Sequence, residues 1–320
     1  MKIAVLYAYP PEPDGLSLQG HLLYRGLVES GIDAMPCHHQ PSFQKQWLFN
    51  AYKPDIAVGI GCWTYVPDIV LSPQKNQILP VPWFVANGWV ANYQQIIGQL
   101  PLVFVTSNWV KETYERDGVE TKNFEVLPIG FDPLEIKPIP KKDLKIQKLR
   151  EMLGIKSDEK MILTVGGDVT SKGAQEMLKA LAIVDKDFKN WKYVCKASDS
   201  DCAENHHREE ERLIEELGLA KDKIIYLTGM YSHDFMSYLL SACDIYAAPS
   251  RLEGFGMIQL EAQACGVPVI SIKKGGPADT IIHGQTGFLA DIGETVELTE
   301  EWVHESMGFD ADHKIQFNKP

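Results

Sequence analysis

The sequence predicts an α/β protein of two domains, each a doubly wound parallel sheet, and three observations support this. Short apolar runs alternate with amphipathic stretches along most of the chain, as in parallel strands connected by helices. The 320 residues exceed one ordinary core and suit two domains. Prolines mixed with charges between residues 128 and 145 interrupt the alternation, so the linker is expected there.

The first domain is placed at residues 1–140, where buried-strand patterns and amphipathic patterns follow one another. Its predicted strands are Lys2–Tyr7, Ala34–Cys37, Ile56–Ile60, Pro82–Ala86, Leu102–Thr106 and Phe124–Pro128. Its predicted helices are Leu16–Ser30, Trp89–Ile97 and Asn108–Asp117.

The second domain is placed at residues 141–290 and repeats the same alternation, beginning with a helix at about Lys142–Leu153. Its predicted strands are Met161–Val165, Lys192–Cys195, Ile224–Leu227, Ile245–Ala248, Val267–Ile272 and a short one near Phe288. Its later helices are predicted at Ala174–Val184, His206–Leu217, Ser232–Ala242 and Gly256–Cys265. Two such domains joined by a hinge are expected to face a cleft, with ligands at the carboxyl ends of the strands.

Residues 291–320 differ from the rest, and we expect a solvated acidic tail there. From Thr286 onward the sequence holds 8 acidic and 2 basic residues. The hydrophobic periodicity also fades after Trp302.

Charge and cysteine usage exclude several classes of function. The formal net charge is −12, and residues 1–140 (net −4) and the remainder (net −8) are both acidic, so nucleic acid is not an expected partner. The six cysteines form no Cys-x-x-Cys pair, which favours a reducing, cytoplasmic location and argues against a structural zinc site. No run of 18 apolar residues occurs, so no integral membrane segment is expected, and Met1–Ala8 lacks a signal-peptide cleavage pattern.

The most informative feature is a glutamate on an apolar helix. At helical spacing Glu261 shares a face with Met257, Leu260 and Ala264, and the opposite side carries Ile258, Ala262 and Cys265. A carboxylate buried in such a helix is costly unless something bonds to it. A sugar hydroxyl is a good candidate, and the alternative is a bond to neighbouring backbone.

Three glycine-containing loops are expected to converge on this helix. Gly254 and Gly256 let backbone N–H groups approach a ligand at the helix start, where the dipole favours anions. Gly166-Gly167 follows a predicted strand, and Lys172 behind it can reach a phosphate as a point charge. Gly275-Gly276 precedes Pro277, which suits the first position of a helix. Together they predict a diphosphate site beside a hydroxyl-binding carboxylate.

From about Met1 to Ala290 the sequence resembles the family-4 retaining glycosyltransferases of GT-B fold. The shared motifs are Pro249-Ser250-x-x-Glu253-Gly254-Phe255-Gly256, Glu261-Ala262, Gly266-Val267-Pro268-Val269, Gly275-Gly276, Gly284-x-Thr286-Gly287, Thr106-Ser107-x-Trp109 and Leu127-Pro128-x-Gly130-x-Asp132. The resemblance implies two Rossmann-like domains and a Glu-x7-Glu motif. In it Glu253 lies near the donor sugar, Glu261 holds the ribose hydroxyls and Lys172 neutralises the diphosphate.

The resemblance therefore implies that a hexose moves from a nucleoside diphosphate sugar to a sugar, lipid or small-molecule acceptor, with no cofactor and no metal. The expected catalytic residues are Glu253, Lys172 and Asn87. The expected donor-binding residues are Gly166, Gly167, Lys172, Glu253, Gly254, Phe255, Gly256, Met257, Glu261, Gly275 and Gly276. The acceptor is expected near Gly15 and Asn87.

Three departures from the family pattern keep other functions open. Gly167 stands where the family usually has an arginine, Asn87 stands where it often has a histidine, and the C-terminal segment is short. The alternatives are a non-catalytic protein that binds sugar nucleotides and a GT-B epimerase. A nicotinamide oxidoreductase is less favoured, because Tyr-Pro-Pro follows the first strand in place of Gly-x-Gly-x-x-Gly.

Overall fold

The computed structural model of the chain describes residues 1–12, 14–166, 172–197, 201–296 and 299–316, without the side chains of 201–206. The chain divides into two units. Unit 1 comprises Met1–Gly130 with Ile292–Pro320, and unit 2 comprises Phe131–Asp291. The division falls between Gly130 and Phe131, inside the proline-containing segment where the linker is predicted.

Unit 1 is a parallel sheet in the order β2-β1-β3-β5-β6-β7, with β4 paired to β3. The strands are β1 Lys2–Tyr7, β2 Asp33–His38, β3 Ile56–Gly61, β4 Leu79–Pro80, β5 Trp83–Phe84, β6 Val103–Val105 and β7 Phe124–Val126. The α-helices are α1 Gly15–Glu29, α2 Phe43–Trp47, α3 Ser72–Lys75, α4 Gln94–Gly98 and α5 Asn108–Arg116. Helix α1 begins where the Asp14 carboxylate accepts hydrogen bonds from the N–H groups of Leu16 and Ser17.

Unit 2 has the strand order β10-β9-β8-β11-β12-β13, which is the Rossmann order, and all of its strands are parallel. The strands are β8 Lys160–Val165, β9 Trp191–Lys196, β10 Ile224–Leu227, β11 Ile245–Ala248, β12 Val269–Ile272 and β13 Gly287–Ala290. The helices are α6 Leu144–Met152, α7 Ala174–Asp187, α8 Asp201–Glu216, α9 His233–Ala242, α10 Met257–Ala264 and α11 Pro277–Thr280. The order reverses between β8 and β11, where ligands of such sheets bind.

The helix predicted over Trp89–Ile97 is wrong for its first half. The Val90 N–H donates to the Asp117 carboxylate at 2.7 Å, and Tyr93 adopts a left-handed backbone with φ of 66°. A left-handed non-glycine residue cannot belong to an α-helix, so α4 starts only at Gln94. Hydrophobic periodicity encodes neither the hydrogen bond to Asp117 nor the left-handed backbone of Tyr93.

The acidic tail predicted for residues 291–320 is mostly exposed in its described part, but it forms a hairpin that the sequence does not predict. Strands β14 Glu300–Val303 and β15 His313–Gln316 form an antiparallel hairpin that belongs to unit 1. The Phe309 ring lies 6.4 Å from the Trp63 ring in an edge-on contact. The Asn92 amide donates to the Gly308 carbonyl at 3.0 Å. Residues 317–320 lie outside the described part.

Two absences hold for the described residues. Among them no helix combines the length and the apolar character that a bilayer crossing requires. No cluster of three or more histidine, cysteine, aspartate or glutamate side chains is arranged there to hold a metal ion.

Candidate active site

Two loops of unit 2 meet at the reversal point of its sheet. The Lys172 ammonium, just before α7, lies 2.6 Å from Oε2 of Glu253 in the loop after β11. Gly173 is in the left-handed region with φ of 74°, and a methyl group there would overlap the Pro249 carbonyl. The close approach that this glycine permits therefore holds the lysine against the glutamate loop.

A third loop, after β12, packs on the same glutamate loop. The Gly276 N–H donates to the Glu253 carbonyl at 2.9 Å. A methyl group on Gly276 would overlap the backbone of Phe255, and one on Gly275 would overlap the Glu253 carbonyl. The structure thus brings together the three loops that the sequence analysis expected to converge.

Glu261 lies on α10 and is 2% exposed, so its predicted burial is confirmed. Its Oε1 atom lies 3.5 Å from Nε2 of His233. Its Oε2 atom is buried and has no hydrogen-bond partner among the described residues. A buried carboxylate oxygen without a partner is costly, and a ligand hydroxyl would relieve that cost.

His233, which the sequence analysis missed, links two carboxylates. It is the first residue of α9, behind a Ser232 cap, and its Nδ1 lies 3.0 Å from Oε2 of Glu135. The hydrogen bond to Glu261 raises the pKa of His233 to about 9, against the opposing effect of burial and with further help from Glu135. The imidazole is therefore a cation at neutral pH. Its partners are 98 and 28 residues away in the chain, so no local pattern could reveal it.

Gln259 and Ser250 are two further polar side chains to which the sequence analysis gave no role, although Ser250 belongs to a shared motif. Gln259 is 2% exposed and Ser250 is fully buried. The side-chain amide nitrogen and oxygen of Gln259 have no hydrogen-bond partner within the described residues, and the Ser250 hydroxyl has none there either. Gln259 lies beside Gly256, where a methyl group would lie 3.0 Å from the Gln259 amide carbon. The loop after β11 and helix α10 therefore hold several buried polar groups without a hydrogen-bond partner among the described residues.

The remaining predicted donor-side residues also lie in unit 2. Gly166 directly follows β8 with φ of 86°, and a methyl group added there would lie 3.3 Å from Cγ of Lys172. Gly256, with φ of 89°, precedes Met257 at the start of α10, and Phe255 is 4% exposed. Gly254 lies between Glu253 and Phe255 in the same loop. Gly167 lies outside the described residues.

The two predicted acceptor-side residues are both in unit 1. Gly15 is the exposed first residue of α1, the helix that follows β1 in the chain. Asn87 is exposed in the loop that follows β5. Each therefore lies beyond the carboxyl end of a strand of the unit 1 sheet.

The family of the chain follows from a comparison with family models. The model described as "Glycosyl transferases group 1" matches residues 145–307, just over half of the chain. The chain belongs to the group 1 glycosyl transferases. The matched residues include Lys172, Glu253, His233 and Glu261.

Curated relatives agree with this family. A D-inositol 3-phosphate glycosyltransferase of Corynebacterium jeikeium is 32% identical over 201 residues, covering 62% of this chain and 47% of the relative. An N-acetyl-alpha-D-glucosaminyl L-malate synthase of Bacillus anthracis is 27% identical over 176 residues, covering 52% and 44%. The chain spans about half the length of the curated relatives that it matches.

Solved structures confirm the predicted fold class. Anabaena Alr3699/HepE, in complex with UDP and glucose, superposes with a TM-score of 0.71 at 20% identity, covering 92% of this chain and 86% of that one. Sucrose-phosphate synthase from Thermosynechococcus elongatus gives a TM-score of 0.74 at 18% identity, with the same coverage. The group 1 glycosyl transferase described here therefore has the α/β GT-B fold, with two Rossmann-like units.

Proposed function

We propose that this protein is a retaining, family-4 glycosyltransferase that moves a hexose from a nucleoside diphosphate sugar to an acceptor hydroxyl. The observation that carries the proposal is Glu261, buried in α10 with one carboxylate oxygen unbonded among the described residues. Vicinal ribose hydroxyls are the donors that suit this oxygen. The motif of Glu253 and Glu261, eight positions apart, supports the family-4 assignment.

In this proposal the donor binds unit 2. The Glu261 carboxylate accepts from the ribose, and Lys172 with loop amides such as that of Gly256 receives the diphosphate. Glu253 lies beside the sugar. Lysine and backbone N–H groups supply the positive potential, so the reaction needs no metal and no cofactor.

The reaction breaks the bond between the anomeric carbon and the diphosphate oxygen and forms a bond from that carbon to the acceptor oxygen. A nucleoside diphosphate and a proton are released, and the new bond keeps the anomeric configuration. The largest catalytic contribution comes from Lys172 and the amides, which stabilise the negative charge that develops on the departing diphosphate. Unit 1 contributes the acceptor site, near Gly15 and Asn87. We place the reaction in the cytoplasm.

The test is a panel of UDP-, GDP- and ADP-sugars offered to the full chain, with and without simple acceptors. We expect one nucleotide class to bind and to release its diphosphate when an acceptor is present. Glu261→Ala should weaken binding of that nucleotide roughly 10- to 100-fold, the value of a hydrogen bond to a charged group. Gln263→Ala, a half-buried position on the same helix, is the matched control and should change little. Equal nucleotide affinity in Glu261→Ala and wild type would contradict the proposal.

A non-catalytic protein that binds sugar nucleotides is the second candidate. Asn87 favours it, because an amide at this position can hydrogen-bond a sugar but cannot take up a proton as a histidine can. The same panel separates the two functions. Tight donor binding without acceptor-dependent release of diphosphate would support the binding protein, and a donor sugar isomerised without acceptor would identify an epimerase.

A further inference from the structure

We propose that His233 is a positioning residue that holds one oxygen of Glu261 so that the other faces the hydroxyl pair of a bound nucleoside. The inference rests on the proposed function, and it adds a residue that selects ribonucleotides over deoxyribonucleotides at that site. Its basis is the chain of contacts from Glu135 through the His233 ring to the buried carboxylate of Glu261.

The geometry requires the charged form of the ring. Nδ1 lies 3.0 Å from Glu135 Oε2, and Nε2 lies 3.5 Å from Glu261 Oε1. Carboxylates only accept hydrogen bonds, and a neutral imidazole donates from one nitrogen only. Both contacts are therefore satisfied together only by the imidazolium, and the raised pKa of His233 agrees with that form.

Each carboxylate has a separate part in this arrangement. Glu135, on the segment ahead of α6, contacts the side of the ring that faces away from Glu261 and so fixes the orientation of the imidazolium. The side chain of Glu261 is 3% exposed, so its charge needs a compensating partner close by. His233 provides that partner to Oε1 alone, which leaves Oε2 for a ligand.

Because the two oxygens have different partners, we expect the His233 ring to affect the binding of nucleotides that have ribose hydroxyls and not of those that lack them. Removing the His233 ring leaves the Glu261 carboxylate free to rotate, and that rotation weakens the bond that Oε2 makes. A nucleotide with ribose hydroxyls loses that bond, whereas one without them has nothing to lose. A residue that only stabilised the fold would lower the affinity for both nucleotides alike.

The experiment measures binding of UDP and of 2′,3′-dideoxy-UDP to the full chain by titration calorimetry, with the GDP and ADP pairs run in parallel. Wild type is expected to prefer the ribonucleotide. His233→Ala should weaken ribonucleotide binding roughly 10-fold and leave dideoxynucleotide binding within about 2-fold, so the preference collapses. His233→Gln, which restores one N–H donor without the charge, should recover part of the preference.

Two further variants guard against a folding defect. Glu135→Gln loosens the ring without touching Glu261 and should reduce the same preference by a smaller factor. Asp234→Asn changes the exposed neighbour of His233 on α9 and should leave the preference unchanged.

The outcomes separate the two proposals. If wild type binds none of the nucleotides, the proposed function fails and this inference fails with it. If wild type prefers the ribonucleotide and His233→Ala keeps that preference, the inference alone is overturned. An equal loss for the ribo- and dideoxy-nucleotides would assign His233 a purely structural role and would overturn the inference as well.

Discussion

At the scale of single residues, Lys172 has two competing partners in the proposed reaction. Its ammonium pairs with Glu253 at 2.6 Å, and the side chain of Glu253 is only 15% exposed. A diphosphate that binds here must take Lys172 from that carboxylate and must approach a negative charge. In the proposed reaction Glu253 therefore weakens binding of the diphosphate leaving group, although it lies beside the sugar.

Glu253→Gln should consequently bind the nucleoside diphosphate more tightly than wild type while losing transfer activity. We expect a gain in affinity of roughly two- to fivefold, the range for a partly exposed ion pair. Titration calorimetry of the diphosphate measures it. Glu176→Gln, which breaks the pair between Glu176 and Arg251 of the same loop, is the matched control and should leave the affinity unchanged. Weaker binding in Glu253→Gln would show that Glu253 supports the diphosphate site.

The His233 cation makes the stability of the protein depend on pH in a defined direction. Its pKa is raised from 6.5 to about 9, so the charged form is favoured by folding. The stabilisation is complete below about pH 6.5 and is lost as the pH rises through about 9. Among the other charged groups on the packed helices, Lys145 of α6 bonds the Tyr238 hydroxyl, which raises the pKa of Lys145 and keeps it charged in this window.

The measurement is the melting temperature of wild type minus that of His233→Gln between pH 6 and pH 10. The difference should be largest at the acidic end and should shrink as the pH passes about 9. A difference that stays constant across the range would mean that the ring does not titrate between the two carboxylates.

At the scale of elements, the loop between β12 and α11 requires glycine at position 276 because it packs closely on the glutamate loop, and not because the backbone of Gly276 is unusual. Gly276 has φ of −55°, which any residue can adopt, yet a side chain there would overlap Phe255. Gly276→Ala should therefore displace the glutamate loop, with a loss of stability of about 1–3 kcal/mol and weaker diphosphate binding. Denaturant unfolding and calorimetry measure the two effects.

Gly26→Ala is the matched control for that substitution. Gly26 lies in α1 with no atom within 4 Å of an added methyl group, so alanine should be neutral or should stabilise by up to about 1 kcal/mol. Unchanged stability and binding in Gly276→Ala would contradict the packing of the two loops.

The hairpin β14–β15 gives a second prediction at this scale. Phe309 packs edge-on against Trp63 and is half-buried, so Phe309→Ala should destabilise unit 1 by about 1–3 kcal/mol. Trp302→Ala, on the same hairpin but 53% exposed, should change the free energy of unfolding by less than about 0.5 kcal/mol. Equal effects of the two variants would mean that the hairpin does not pack as described.

How far the sequence predicts these elements depends on the range of the interactions that fix them. The strands Ile224–Leu227 and Ile245–Ala248 are found where they are predicted, because a short apolar run bounded by polar residues defines a buried strand. The segment 89–93 is not helical, because Asp117 and the chain near Gly308 hold it by hydrogen bonds. Glu261 is predicted from its own helix, whereas His233 requires knowledge of which helices are neighbours.

At the scale of the whole molecule, local geometry must overcome the overall charge. The chain carries a net charge of −12, so its field repels a nucleoside diphosphate. In the proposed function, binding therefore relies on Lys172, on loop amides and on the reversal point of the unit 2 sheet between β8 and β11. The fold class follows from the sequence because the strands are recognisable as short apolar runs. The converging loops follow from it as well, because each loop lies directly after one of those strands.

The central claim is that the unbonded oxygen of Glu261 binds the vicinal hydroxyls of a nucleoside. The most direct measurement is a crystal structure of the full chain with the nucleoside diphosphate selected by the panel. We predict a ribose oxygen about 2.5–3.2 Å from Glu261 Oε2, with Oε1 still beside His233. A ribose beyond hydrogen-bond distance of Glu261, with Oε2 bonded only to protein, would contradict the claim.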